Sequence, residues 1–396
     1  MPAEAHLFWA AAGVAALVLY LGSSLLGRWV AGHRAPRVPP LRLHADLFAE
    51  SLWLEAEARI ALPRGIVLPL YDDIALLGFS LLMELRSLGV ELPVEVPHCG
   101  DLSPALQTQL SLIDPLAVPY DVCEAAEAAA DGFYADRKLF CADLADCRAR
   151  FQGFDVKILG VLYSRFDEVM LLDADTLFFR DPTALFATAK YADSGTLFFH
   201  DRITSEFAHL AARVDGQRGD VRRLHHYLAS FDVGPAALPV SLPISPSEIL
   251  LESHAWGLRS GHQMDSSLLL WHKRRQPRAT AILASFVSLN GVARPPSYGD
   301  KELFFLACEL AETRYARVAL LRTAARRAEF FPGSFKQRGY PQSCPFDVTV
   351  VALLPGESAR FARRQALYQS VARGRDDLEV WIQAAKTTFL RWIDAL

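Results

Sequence analysis

The sequence predicts an α/β fold built on a doubly wound, mostly parallel sheet, with one apolar segment at the N-terminus. Three observations carry this expectation. Short apolar runs alternate with helix-spaced segments between residues 65 and 200, the pattern of strand–helix–strand units. One run, Val169–Leu172, leads directly into Asp173-Ala174-Asp175, and the carboxyl ends of strands are where open α/β sheets place ligands. The 396 residues are 52% apolar and 22% charged, enough core for one large domain or two moderate ones. The net charge of −4 supplies no basic field for a nucleic acid partner.

The elements follow in order. Residues 1–6 are a short tail. Leu7–Leu26 holds no charged residue, about the length that spans a hydrocarbon core. There is no basic n-region of a cleavable signal, so residues 7–27 are expected to be an uncleaved transmembrane anchor. Arg28, Arg34, Arg37 and Arg42 follow it, and the positive-inside rule taken alone would keep the C-terminal side in the cytoplasm. Residues 28–60 are expected to form a stem ending in a short helix, 61–346 the globular domain, and 347–396 a strand and helix extension.

Within the globular part, Gly65–Leu70 reads as a first strand. Asp72–Leu88 has helical spacing and Gly89 stops it. Leu92–Val96 reads as a second strand, and a helix starts near Ser103 with Pro104 at its first turn. Ala117–Val122 is a third candidate strand. Phe154–Phe166 is expected to be helical and feeds the strand ending at Asp173. Asp181-Pro182 breaks the chain before a helix through Leu185 and Phe186, and Gly195–Phe199 forms another strand closed by His200-Asp201. Residues 202–260 read as an irregular lid or acceptor-side segment. A strand over Ser267–Trp271 and helices over Ala279–Leu289 and Lys301–Glu312 complete the pattern.

Asp173 and Asp175 are spaced i, i+2, so on a strand both side chains share one face. Two hard oxygen donors suit Mn²⁺ or Mg²⁺ with sites left open for a diphosphate. A solvated turn is the plain alternative. A phosphohydrolase motif, with Asp173 as a carboxylate nucleophile, is the specific one. That motif places Thr or Val at its fifth position, where this chain has Leu177, and lies on the first strand of its domain. Lys157 is either an exposed helical lysine or a cation for a departing diphosphate. Asp265, ahead of Ser266 and Ser267, is either a turn residue or a ligand of sugar hydroxyls beside the reacting carbon. Asp300 is either a helix N-cap or, with Lys301, part of an anion-facing helix start. Asp201 is a candidate cleft residue. His225, His226, His254, His262 and His272 are each candidate third metal ligands without diagnostic spacing. Cys99, Cys123, Cys141, Cys147, Cys308 and Cys344 are compatible with disulfides in a secretory lumen or with free thiols, and none has zinc-ligand spacing.

The stretch Lys157–Phe186, KILGVLYSRFDEVMLLDADTLFFRDPTALF, resembles the signature of the fungal Golgi α-mannosyltransferases, glycosyltransferase family 71. LPVEV at Leu92–Val96, GTLFFHD at Gly195–Asp201 and YGDKELFFLA at Tyr298–Ala307 resemble three further family segments in the same order. The resemblance covers about residues 65–310. It implies a GT-A fold, a retaining hexosyl transfer from a nucleotide-sugar donor (GDP-mannose), Mn²⁺ or Mg²⁺, a glycan or glycoprotein acceptor, and a type II Golgi membrane protein. By position, Asp173 and Asp175 would hold the metal. Asp201, Asp265 and Asp300 would line the cleft. We expect Asp173, Lys157, Asp201 and Lys301 to face the donor and Asp265 and Asp300 to be the catalytic carboxylates. The chain departs from the family where Glu-Ser-Gly becomes Asp265-Ser266-Ser267 and an Asp becomes His272. A UDP-sugar enzyme of the glycogenin type is the nearest alternative in the same class, and a lectin-like scaffold keeps the fold without the chemistry.

Overall fold

The computed structural model describes residues 48–130, 137–176, 178, 181–201, 208–215, 221–229, 231 and 244–318. The tail at 1–6, the anchor at 7–27, most of the stem and the extension at 347–396 lie outside the described residues. Among the described residues no helix is long and apolar enough to cross a membrane.

Among the described residues, seven strands form one sheet: β1 (Leu62–Val67), β2 (Val94–His98), β3 (Ala117–Asp121), β4 (Phe166–Leu172), β5 (Thr196–His200), β6 (Met264–His272) and β7 (Arg317–Val318). Their order is β3-β2-β1-β4-β6-β5-β7. β1, β2, β3 and β4 are mutually parallel where they pair. β6 runs antiparallel to both β4 and β5, so the sheet is mixed and mostly parallel. The chain leaves β1 toward β2 and β3, then returns to β4 on the other side of β1. This reversal makes the β1–β4 edge a topological switch point.

The helices cover both faces. They are α1 (Phe48–Glu57), α2 (Asp72–Ser87), α3 (Pro104–Ile113), α4 (Val122–Ala128), α5 (Leu144–Phe151), α6 (Val156–Tyr163), α7 (Ala189–Ser194), α8 (Arg223–Ala229), α9 (Glu248–Leu251), α10 (Pro277–Ser285) and α11 (Leu303–Leu310). The two-residue alternation of a strand decides which side chain meets which layer. On β4, Val169 and Leu171 enter the core formed with α6, α10 and α11. Met170 and Leu172 enter the core formed with α2 and α3. Burial on both faces explains the continuous apolar runs in the sequence.

Several differences from the sequence reading have simple causes. The expected stem ends in α1, whose Leu52 and Ala56 are buried in the same core as α10, so this piece is part of the folded body. The β6 strand begins at Met264 rather than Ser267, because Phe199 pairs with Asp265 and His200 with Met264; Asp265 is therefore a strand residue. The segment after Asp181 is a 3₁₀ turn over Pro182–Ala187. There the Asp181 carboxylate accepts from the Thr183 N–H at 2.8 Å and its hydroxyl at 2.7 Å. Disulfides join Cys99 to Cys123 and Cys141 to Cys147, Cys308 is a buried thiol, and Cys344 lies outside the described residues. The Cys99–Cys123 bridge ties the end of β2 to α4, and closing a loop of this size is worth roughly 3 kcal/mol.

Candidate active site

One edge of the sheet gathers the carboxylates. β4 and β5 point their carboxyl ends to it, and the antiparallel β6 begins there. The Asp173 N–H donates to Ser267 O at 2.8 Å and the Asp201 N–H to Gln263 O at 3.1 Å. These bonds extend the two ladders by one residue and set Asp173, Asp201 and Asp265 along the same edge.

The motif itself is not a strand. β4 stops at Leu172, and the Thr176 N–H closes a turn onto Asp173 O at 3.1 Å. The expected same-face placement of two strand residues therefore does not apply to Asp173 and Asp175. The turn is pinned from two sides. Thr176 Oγ1 donates to Ser267 O at 3.0 Å, and the carboxylate of Glu84 on α2 accepts from the Phe178 N–H at 3.0 Å. Asp175 is buried to 1% exposure within this turn.

Lys157 stands at the first turn of α6, which runs antiparallel into β4 and so begins at the carboxylate edge. Its Nζ lies 2.6 Å from Asp173 Oδ1 and 3.3 Å from Asp300 Oδ2, with Ser266 Oγ at 3.4 Å. It is buried rather than a surface lysine. Burial by itself lowers the ammonium pKa, but the two carboxylates outweigh that and raise it. Asp300 shows the reverse balance: burial raises its carboxyl, opposed by Lys157 and helped by Asp173.

A second lysine repeats the arrangement. Lys301 Nζ donates to Asp201 Oδ2 at 2.6 Å. Asp265 lies in the field of both, partly buried. Burial first, and the Asp201 charge second, push its carboxyl up to about 6, opposed by Lys301 and by the Ser267 N–H. The loop that delivers Asp300 and Lys301 turns at Gly299, where φ is +62° and a Cβ would sit 2.8 Å from the Phe154 ring, a position that favours glycine.

Nothing local in the sequence marks Glu302 as a site residue. It is fully buried, accepting the N–H groups of Gln263 at 2.9 Å and Met264 at 3.3 Å, with His262 Nδ1 at 3.6 Å. It locks the start of β6, and hence Asp265, to the start of α11. Ser266 and Glu84 were likewise invisible as partners, because each acts across a long sequence separation. Of the candidate histidines, His272 faces Asp167 at 3.2 Å at the far end of β6, and His225 packs on Trp256. His254 packs edge-on to His200, whose Nδ1 meets Gln263 Nε2 at 2.9 Å. Among the described residues, the one group of three His, Cys, Asp or Glu donors within reach of each other is Cys99, Asp121 and Cys123, two of which are disulfide-bonded. The carboxylate oxygens of Asp173 and Asp175 are the hard donors that Mn²⁺ and Mg²⁺ take when diphosphate and water complete the shell.

The chain matches the family model described as "Mannosyltransferase putative" over residues 63–325. It is 28% identical over 200 residues to "Putative alpha-1,3-mannosyltransferase MNN14" of Candida albicans, covering 48% of this chain and 27% of that protein. It is 31% identical over 168 residues to "Putative alpha-1,3-mannosyltransferase MNN12" of the same organism, covering 41% and 18%. It is 29% identical over 157 residues to "Alpha-1,3-mannosyltransferase MNT3" of Saccharomyces cerevisiae, covering 39% and 24%. The chain spans under a third of the length of each of these relatives. The solved structure "WbbM bifunctional glycosytransferase apo structure" superposes with a TM-score of 0.35 at 13% identity, over 65% of this chain and 38% of that one, too slight a likeness to argue from. The match over 63–325, which contains every carboxylate and lysine of the site, shows that the chain belongs to this mannosyltransferase family.

Proposed function

We propose that this chain is a metal-dependent glycosyltransferase that moves a mannosyl residue from GDP-mannose to a hydroxyl of a glycan acceptor, with retention of anomeric configuration. The observation that carries the reading is the Lys157 ammonium held between Asp173 and Asp300 at the carboxyl end of β4, at the sheet edge that also presents Asp201 and Asp265. Family membership supplies the sugar class. The mixed sheet, with its switch point beside the motif, supports the GT-A arrangement.

In this reading Asp173 and Asp175 hold Mn²⁺ or Mg²⁺. When bound, the cation neutralises charge developing on the departing diphosphate. Lys157 bridges Asp173 and Asp300 and fixes both in place. Lys301 fixes Asp201, which faces the hydroxyls of the donor hexose. Asp265 carries its negative charge beside the reacting carbon above about pH 6, where positive charge develops on the sugar in the transition state.

The two disulfides support an oxidising compartment. With the charge-free segment at 7–26, they favour a single-pass type II Golgi protein with the folded domain in the lumen. A thermal-shift panel of the chain with Mn²⁺ plus GDP, UDP or CDP tests the reading, because a ligand that binds only the native state raises its stability. Stabilisation by GDP with Mn²⁺, and by neither alone to the same extent, is expected. Stabilisation by UDP instead would move the donor to a UDP-sugar, and no response to any nucleotide would remove the transferase reading.

A further inference from the structure

Beside the carboxylates lies a row of rings that the mechanism does not use. Phe154 and Tyr298 are 42% and 52% exposed, close in the chain to Lys157 and Asp300 of the buried ionic cluster. Their ring centroids are 5.7 Å apart. Tyr298 continues to the His209 ring at 5.3 Å, and His209 to the His262 ring at 4.9 Å. His209 is held at a φ of +49°, a backbone region that non-glycine residues seldom occupy.

The exposed end of the row is braced by polar contacts. Arg294 grips Asp155 with two hydrogen bonds, at 2.6 and 2.7 Å, and donates to Gly299 O at 3.2 Å. The Phe154 ring packs against Gly299 so closely that a Cβ there would meet it at 2.8 Å. At the other end, His262 is backed by Glu302. The row is also tied to the reacting groups through the chain itself. Phe154 shortly precedes Lys157, and Tyr298 is followed by Gly299, Asp300 and Lys301.

We infer that Phe154, Tyr298 and His209 form the binding platform for the acceptor glycan, stacking on the apolar C–H faces of its pyranose rings. This deepens the proposed transfer and rests on it. The chemistry of the row selects the ligand. Arg294, the cation beside it, is committed to Asp155, so the row offers a poor seat for a diphosphate. Neighbouring planes are inclined by 57° between Phe154 and Tyr298, by 68° between Tyr298 and His209 and by 32° between His209 and His262. None of these described pairs is coplanar, as stacking on a flat nucleobase would favour, whereas successive sugars of a glycan are turned relative to one another. Rings held by packing contacts lose less conformational entropy on binding than free ones.

The test uses the full chain with GDP-mannose and Mn²⁺, and α-linked mannotriose as acceptor. The acceptor KM and, separately, the GDP Kd are measured for wild type, Tyr298→Ala, Tyr298→Phe and Phe154→Leu, with melting curves to confirm that each variant folds. Tyr298→Ala is expected to raise the acceptor KM about tenfold, the size of one lost aromatic contact. Tyr298→Phe should stay close to wild type, and the GDP Kd should not move. An unchanged acceptor KM in Tyr298→Ala would overturn the proposal. So would a matching rise in GDP Kd, which would assign the rings to the donor base. If wild type shows no turnover, the transfer reading fails on its own. Saturation-transfer NMR of mannotriose then tests the platform directly: signal in wild type that is lost in Tyr298→Ala supports it, and no wild-type signal overturns it.

Discussion

The Lys157 ammonium lies 2.6 Å from Oδ1 of Asp173, inside the fold and within 3.3 Å of Asp300 as well. A cation shared by two buried carboxylates holds together charges that would otherwise repel. Removing one member of such a group costs more than its surface counterpart, since the others stay buried without compensation. Lys157→Met is expected to destabilise the chain by about 3–5 kcal/mol, read as a shift of the denaturant midpoint, and to remove transfer activity. A midpoint within error of wild type would show that the carboxylates do not depend on this lysine.

In the proposed reading Asp265 joins a catalytic role to a stability cost. Its carboxyl is raised to about 6 from an ordinary 3.8, by burial first and Asp201 second. Between those values the folded chain binds a proton that the unfolded chain has lost, so stability falls as pH rises through this window. Asp265→Asn should therefore raise the melting temperature at neutral pH and have little effect below about pH 4. It should also abolish transfer. In wild type, kcat/KM is expected to fall on the acid side with an apparent pKa near 6, and a flat profile from pH 5 to 7 would contradict the role given to this carboxylate.

Glu302 is a positioning residue. It takes the N–H groups of Gln263 and Met264 immediately before Asp265. Glu302→Ala leaves two buried donors unmade and should cost about 1.5–3 kcal/mol. Glu302→Gln retains one carbonyl acceptor and should recover part of that loss. In transfer assays the Gln variant is expected to lower kcat more than it raises the donor KM. An unaltered kcat in a folded Glu302→Gln chain would show that Asp265 does not need this anchor.

Lys273 gives a second pH signature, far from the site. Its buried Nζ donates to Ser164 O at 2.6 Å, joining the end of β6 to the turn between α6 and β4. Burial brings its pKa down from 10.5 to about 7, against the pull of Glu95 and Asp167. From pH 7 to pH 10 the unfolded chain holds the proton that the folded chain has released, so this group makes stability rise with pH. Denaturant midpoints at pH 7 and pH 9 should show that rise in wild type and a smaller one in Lys273→Met. Equal slopes would mean that the buried lysine keeps its ordinary affinity for the proton.

The strand–helix alternation was legible because burial on both faces writes itself as uninterrupted apolar runs, as on β4. The antiparallel course of β6 was not, because Leu268–Trp271 has the same composition whichever way the strand runs. The motif carboxylates stood out as a pair, but the strand end at Leu172 did not, since Thr176 and Ser267 make that turn across separate segments. Lys157 read equally well as a surface lysine. Only the packing of α6 back over the sheet puts it between Asp173 and Asp300. Glu302 and the Phe154–Tyr298 row carried no local signal, because their partners are far away in sequence.

The central claim is that Asp173 and Asp175 serve a metal-dependent transfer of mannose. Turnover of GDP-mannose with an α-mannoside acceptor, measured with Mn²⁺ for wild type and for Asp175→Ala, tests it most directly. The account predicts Mn²⁺-dependent turnover in wild type and a loss of at least ~10²-fold in the variant, the size expected for one electrostatic stabiliser. Wild-type-like turnover in a folded Asp175→Ala chain would contradict it.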